Sequence, residues 1–152
     1  MTDSRANLVG IVLAAGAGRR FGGPKALARL ATGEAFVAHA ATTLYAGGLP
    51  RVVVVLGAAA DAARGLVPSD PWCSVVVAED WAEGMGASLR AGLAAVGPDV
   101  VEPAGRADEA VGDAGDAVDA VVVTLVDLPD LAGYVVARLV ARTLPAPATA
   151  DD

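Results

Sequence analysis

The sequence predicts an α/β fold with a mostly parallel sheet and helices against both of its faces. Two observations predict it. Four short apolar runs rich in valine recur along the chain, at residues 8–13, 52–56, 74–78 and 120–126. They are near-continuous rather than alternating, which is how strands covered on both faces read. Stretches of helical spacing separate them, and strands that alternate with helices imply right-handed crossovers into one sheet. At 152 residues the chain suits one domain, large enough to bury about two-thirds of the surface its unfolded form exposes.

The first run opens the stretch LVGIVLAAGAGRRFGGPK, residues 8–25. Its strand passes into a loop holding Gly16, Gly18, Gly22 and Gly23 beside Arg19, Arg20 and Lys25. Such a loop cradles an anion, most simply a phosphate chain, by backbone amides and fixed cations. The alternative is a tight β–α turn whose arginines are merely solvated. Two named phosphate loops fail on spacing. Gly16, Gly18 and Gly22 are one residue too long for G-x-G-x-x-G, and Pro24 separates Gly23 from Lys25 where G-x-x-x-x-G-K-[ST] needs them adjacent.

Thr32-Gly33 marks a turn, after which residues 34–46 read as a helix ended by Gly47 and Gly48. His39, the one histidine, lies mid-helix and is assigned no catalytic part. The second strand, 52–56, ends in Gly57 and leads to a helix over 61–67. A turn-rich SDPWC precedes the third strand, 74–78. The segment EDWAEGMGASLRAGLAAV then gives a loop at Gly84 and Gly86 and a helix over 87–96 with Ser88 near its start. Free amides and a hydroxyl there suit a base or phosphate, although a serine-capped helix accounts for the spacing equally well.

Residues 97–118 change character: glycine, proline, alanine and acids dominate, and an acidic, flexible surface insertion is expected. Asp108, Glu109, Asp113, Asp116 and Asp119 read as solvated charge rather than as a metal site. The fourth strand, 120–126, ends in Asp127-Leu128-Pro129-Asp130. A carboxylate at the carboxyl edge of a buried strand can hold Mg²⁺, which takes one or two protein carboxylates and fills its shell with water and phosphate. Capping of the next helix, 131–142, is the competing role for Asp127 and Asp130. The end, 145–152, is expected to be a disordered tail.

Composition narrows the partners. Net charge is −7 and aromatics are 4%, so neither a general basic field nor a stacking platform serves nucleic acid. Cys73 is the single cysteine, so there is no internal disulfide and a reducing cytoplasm is expected. No apolar stretch is long enough to span a membrane, and the first run meets Arg19 and Arg20 too directly for a signal peptide.

The segment LAAGAGRRFGGPKAL resembles the signature L-A-[AG]-G-x-[GS]-x-R-x-G-x-x-K of the MobA-like nucleotidyltransferases, nearest the molybdenum cofactor cytidylyltransferase branch. Leu13, Ala14, Ala15, Gly16, Gly18, Arg20, Gly22, Pro24 and Lys25 fall in place, while Arg19 sits at a variable position. WAEGMGASLRAGL is similar to the family's W-x-x-G-M-x-x-S-[LI]-x-x-G block, and LVDLPD to its [LV]-x-D-x-P block. The resemblance implies a Rossmann-like three-layer α/β/α sandwich of the nucleotide-diphospho-sugar transferase type, with residues 1–144 as the NTP-binding domain. It implies nucleotide contacts from Leu13, Ala14, Ala15, Gly16, Gly18, Arg20, Lys25, Gly84 and Ser88. Catalysis would fall to Arg20, Lys25 and Asp127, with Asp127 on Mg²⁺.

The activity so implied is transfer of a nucleoside monophosphate to the phosphate of molybdopterin, with pyrophosphate released. Ala15 favours CTP, because guanylyl-type relatives carry glycine there. A molybdoenzyme, its chaperone or a second copy of this chain would be the protein partner. Two departures stand out: Ala78-Glu79 replaces an Asn-Pro of relatives, and no His-Pro follows Asp127. The resemblance therefore implies a fold lacking the usual C-terminal strands. Transfer to another phosphorylated acceptor, by a GTP-using or sugar-phosphate type of enzyme, stays open. So does a catalytically incomplete nucleotide-binding module.

Overall fold

A computed structural model describes residues 7–97 and 118–143. The strands are β1 (Leu8–Ala14), β2 (Arg51–Leu56), β3 (Cys73–Val77) and β4 (Ala120–Leu125). The longer helices are α1 (Phe36–Ala46), α2 (Ala60–Arg64), α3 (Met85–Val96) and α4 (Gly133–Thr143). The expected acidic insertion, except for its ends at Gly97 and Val118, and the expected tail lie outside the described residues, as do Asp108, Glu109, Asp113 and Asp116.

Every pairing in the sheet is parallel, and the strand order is β3-β2-β1-β4. β1 is central: Ile11 pairs with Val53 on one side and with Val123 on the other. Its side chains alternate between two apolar layers. Leu8, Val12 and Ala14 join Val52, Val54 and Leu56 against Val37, Ala41 and Leu44 of α1, Ala63 of α2 and Val136 of α4. Val9, Ile11 and Leu13 join Val53 and Val55 against Leu89, Leu93 and Val96 of α3. All seven β1 residues are buried. A strand buried on both faces needs apolar side chains at every position, which explains the unbroken run in the sequence.

Strand ends shift by one residue at most, and four helix ends differ from the sequence reading by two residues or more, each for a local reason. Residues 34 and 35 are extended, since Glu34 O accepts the Leu30 amide at 2.8 Å and Ala35 pairs with Arg29; α1 therefore begins at Phe36. Gly65 ends α2 at Arg64, leaving Leu66 and Val67 in a turn. Gly84, with φ +120°, starts α3 at Met85 rather than at 87. Leu131 donates to Leu128 O in a turn, so α4 starts at Gly133 and Asp130 precedes its capping position, Ala132. Among the described residues, no helix is long and apolar enough to cross a membrane.

Candidate functional site

Sheet order decides where the site forms. From β1 the chain moves through β2 to β3 on one side, then returns to place β4 on the other. Strand order thus reverses between β1 and β4, and a crevice opens outside the carboxyl ends of parallel strands at such a point. Leu13 pairs with Leu125, and Val126 donates to Leu13 O at 3.0 Å. The glycine loop after β1 and the acidic turn after β4 therefore emerge side by side.

A cleft of about 320 Å³ lies there. Of the residues expected to bind nucleotide, Leu13, Ala14, Ala15, Gly16, Gly18, Lys25, Gly84 and Ser88 line it, and Asp127 lines it too. Across 102 positions of sequence, Lys25 Nζ donates to Asp127 Oδ2 at 2.6 Å. Each side chain of the pair is about one-third exposed, 34% and 33%. The same ammonium stands 5.7 Å from the centre of the Phe21 ring.

The loop has a definite shape of its own. Gly18 O accepts the amides of Phe21, Gly22 and Gly23 at 3.0, 3.0 and 3.1 Å. Gly18 holds φ at +61°, and a Cβ there would lie 1.8 Å from Gly23 O. Only glycine meets both demands. Among the described residues, none of the amides of residues 16–20 is paired with a backbone carbonyl, and Gly16 and Gly18 of this span line the cleft.

Arg20 is the exception among the expected residues. It does not line this cleft; the turn around Gly18 O puts it with Arg19 and Phe21 on an adjoining hollow that shares Gly18 and Lys25. Ser88 is not a helix cap: Gly84 occupies that position, and Ser88, only 5% exposed, sits in the first full turn of α3. The left-handed φ of Gly84 is what turns the start of α3 toward the cleft.

Trp81 and Met85 also line the cleft and were not among the expected residues. They give it an apolar wall beside the polar loop. Both fall in the tryptophan-to-serine block, so their spacing was the available signal. His39 stays outside the cleft. Its ring bridges Glu34 Oε2 (Nδ1, 3.2 Å) and Pro129 O (Nε2, 3.0 Å), bracing the turn that carries Asp127 from α1. Cys73 is remote from the cleft, and burial, with Asp70 nearby, pushes its thiol up to about 11.

Among the described residues no three His, Cys, Asp or Glu side chains are grouped to hold a metal. Among the described residues, the donor set at the cleft is one carboxylate beside a glycine loop. That set fits a hard divalent cation such as Mg²⁺ or Mn²⁺ when phosphate oxygens and water complete its shell. It does not fit zinc, which takes three or four protein donors, mostly histidine nitrogen and cysteine sulfur.

The model of the MobA-like NTP transferase domain matches residues 10–150. The chain belongs to the MobA-like NTP transferase family. Within the first 14 residues of that match lie the loop glycines, Arg20 and the start of the Gly18 turn. Nicotine blue oxidoreductase from Paenarthrobacter nicotinovorans is 47% identical over 89 residues, covering 58% of this chain and 43% of that protein. Among solved structures, Rv0371c from Mycobacterium tuberculosis H37Rv aligns with a TM-score of 0.64 and 28% identity, over 90% of this chain and 59% of that one. The same protein in complex with manganese aligns with a TM-score of 0.63 and 27% identity, over 91% of this chain and 60% of that one. A homologue of Rv0371c from Mycobacterium sp. strain JC1 gives a TM-score of 0.66 at 28% identity. This chain thus spans less than half the length of the curated relative and about 60% of these structures.

Proposed function

We propose that this chain is a divalent-metal-dependent nucleotidyltransferase domain that takes an NTP, CTP in preference to GTP. It would transfer the nucleoside monophosphate to a phosphorylated small acceptor, molybdopterin being the candidate. The observation that carries the reading is the 2.6 Å meeting of Lys25 and Asp127 beside the glycine loop. A glycine loop, a cation and a metal-suited carboxylate converge at one switch point, and phosphoryl-type transfer asks mainly for positioning and charge neutralisation.

In this reading the amides of residues 16–20 and the Lys25 ammonium bind the triphosphate. Trp81 and Met85 wall the base, and Ser88 offers it a hydroxyl. An oxygen of the acceptor phosphate attacks the α-phosphorus, and the bond from that phosphorus to the β-phosphate oxygen breaks. Its electron pair leaves on pyrophosphate. Lys25 offsets the charge that gathers on the leaving group, and Arg20 reaches the same phosphates from the adjoining hollow. Asp127 would hold the divalent ion, which supplies Lewis-acid neutralisation of the phosphate oxygens when bound. Ala15, buried at the cleft edge with its carbonyl fixed by the Ala58 amide, is the residue behind the CTP preference. A cytoplasmic setting accords with the lone thiol.

The test is pyrophosphate release from CTP with molybdopterin as acceptor, in Mg²⁺ or Mn²⁺. Asp127→Asn is expected to lower turnover at least a hundredfold, within the range for lost charge stabilisation. Turnover within threefold of the parent chain would refute the role of Asp127. A second reading has its own observation, the 47% identity to nicotine blue oxidoreductase. On that reading the chain would serve oxidoreduction of nicotine blue, with the cleft as the seat of a reactant. Oxidation of NADH or NADPH with nicotine blue, in the absence of CTP, separates the two.

A further inference from the structure

The Lys25–Asp127 pair has a consequence for the order in which ligands enter. Among the described residues Asp127 is the sole acidic side chain lining the cleft, and its Oδ2 already accepts from the Lys25 ammonium at 2.6 Å. A divalent cation arriving alone must either displace that ammonium from Oδ2 or share the carboxylate with it through Oδ1, against its positive charge in both cases and with little protein oxygen gained. No grouped set of described side chains offers it more. A polyphosphate arriving at the loop changes both terms. Its oxygens attract Lys25 away from Asp127 and also supply the ligands that a hard cation lacks.

We infer that the ion pair is a gate: Asp127 is withheld from free divalent cations until a polyphosphate claims Lys25, so metal and triphosphate bind as one unit. The inference rests on the metal–triphosphate reading of this cleft and adds its regulation. Thermodynamic reciprocity then requires each ligand to raise the affinity of the other by the same factor. Metal without nucleotide, or nucleotide without metal, leaves the site half-built.

Titration of the full chain with Mn²⁺ alone, followed by calorimetry, tests the gate without any turnover. Removing the ammonium in Lys25→Met is expected to tighten binding of Mn²⁺ alone by about tenfold, the scale of a modest coupling. Lys25→Gln should do the same, and Lys25→Met combined with Asp127→Asn should lose the gain. The reverse is expected of metal-free tripolyphosphate in a chelator: Asp127→Asn binds it more tightly than the parent chain, Lys25→Met more weakly. Unchanged or weaker Mn²⁺ binding in both Lys25 variants would overturn the gate, as would equal Mn²⁺ affinity of the parent chain with and without tripolyphosphate. Failure of the parent chain to bind Mn²⁺ with CTP at all would instead overturn the underlying reading of the cleft, and the gate with it.

Discussion

Cys73 shows how one side chain reports its surroundings. It begins β3, half-buried, and desolvation with the nearby Asp70 raises its thiol from an ordinary 9.0 to about 11. The folded chain then holds this proton more tightly than the unfolded chain does. The resulting stability is complete below pH 9 and is lost as pH climbs from 9 toward 11. Urea midpoints are expected to fall across that window, and the part owed to this thiol should vanish in Cys73→Ala. Other single residues were readable in advance for plain reasons. Gly18 stood in a cluster of glycines beside cations, and its +61° φ with the crowding by Gly23 O accounts for its place there. Arg20 was less legible. Its number in the sequence places it on the loop, but only the turn around Gly18 O determines which side of the loop it serves.

At the scale of elements, apolar runs marked β1 and β2 because burial on both faces leaves no other choice of side chain, whereas β3 and β4, equally valine-rich, are only partly covered and leave Val123 exposed. Helix starts were harder. Where α1 begins depends on Ala35 pairing back with Arg29, a contact that neither residue's propensity announces. The interior of α1 is firmer ground. Leu44 is fully buried, and its Cδ1 would lie 2.9 Å from a Cβ on Gly10, so the helix packs directly over the bare backbone of β1. Leu44→Ala is expected to cost about 2–5 kcal/mol in urea unfolding, since the rigid sheet below cannot collapse into the space. Trp81 and Met85 were missed as cleft residues because a short 3₁₀ turn at Trp81–Glu83 and the start of α3, rather than their periodicity, aims them at the opening.

For the whole molecule, the decisive fact is the 3-2-1-4 strand order. Sequence alone placed Lys25 and Asp127 in separate motifs 102 residues apart. What joins them is the β1–β4 pairing, a long-range property that no local pattern encodes. Ligand binding should be felt globally as well. A nucleotide present at a hundredfold over its dissociation constant adds about 2.7 kcal/mol to stability, or roughly 5–10 °C in melting temperature for a chain of this size. CTP with Mg²⁺ or Mn²⁺ is expected to produce that shift, GTP a smaller one, and chelation of the metal should abolish most of it. An equal shift with GTP would remove the preference assigned to Ala15.

The three amides gathered on Gly18 O give the loop a fixed form before any ligand arrives. A strap that already holds a definite curl has little configurational freedom left to surrender at capture. Less of the attraction to an incoming phosphate chain is then consumed in tidying the receptor. The glycines, costly to order when the chain first folds, have settled that cost long before the first encounter.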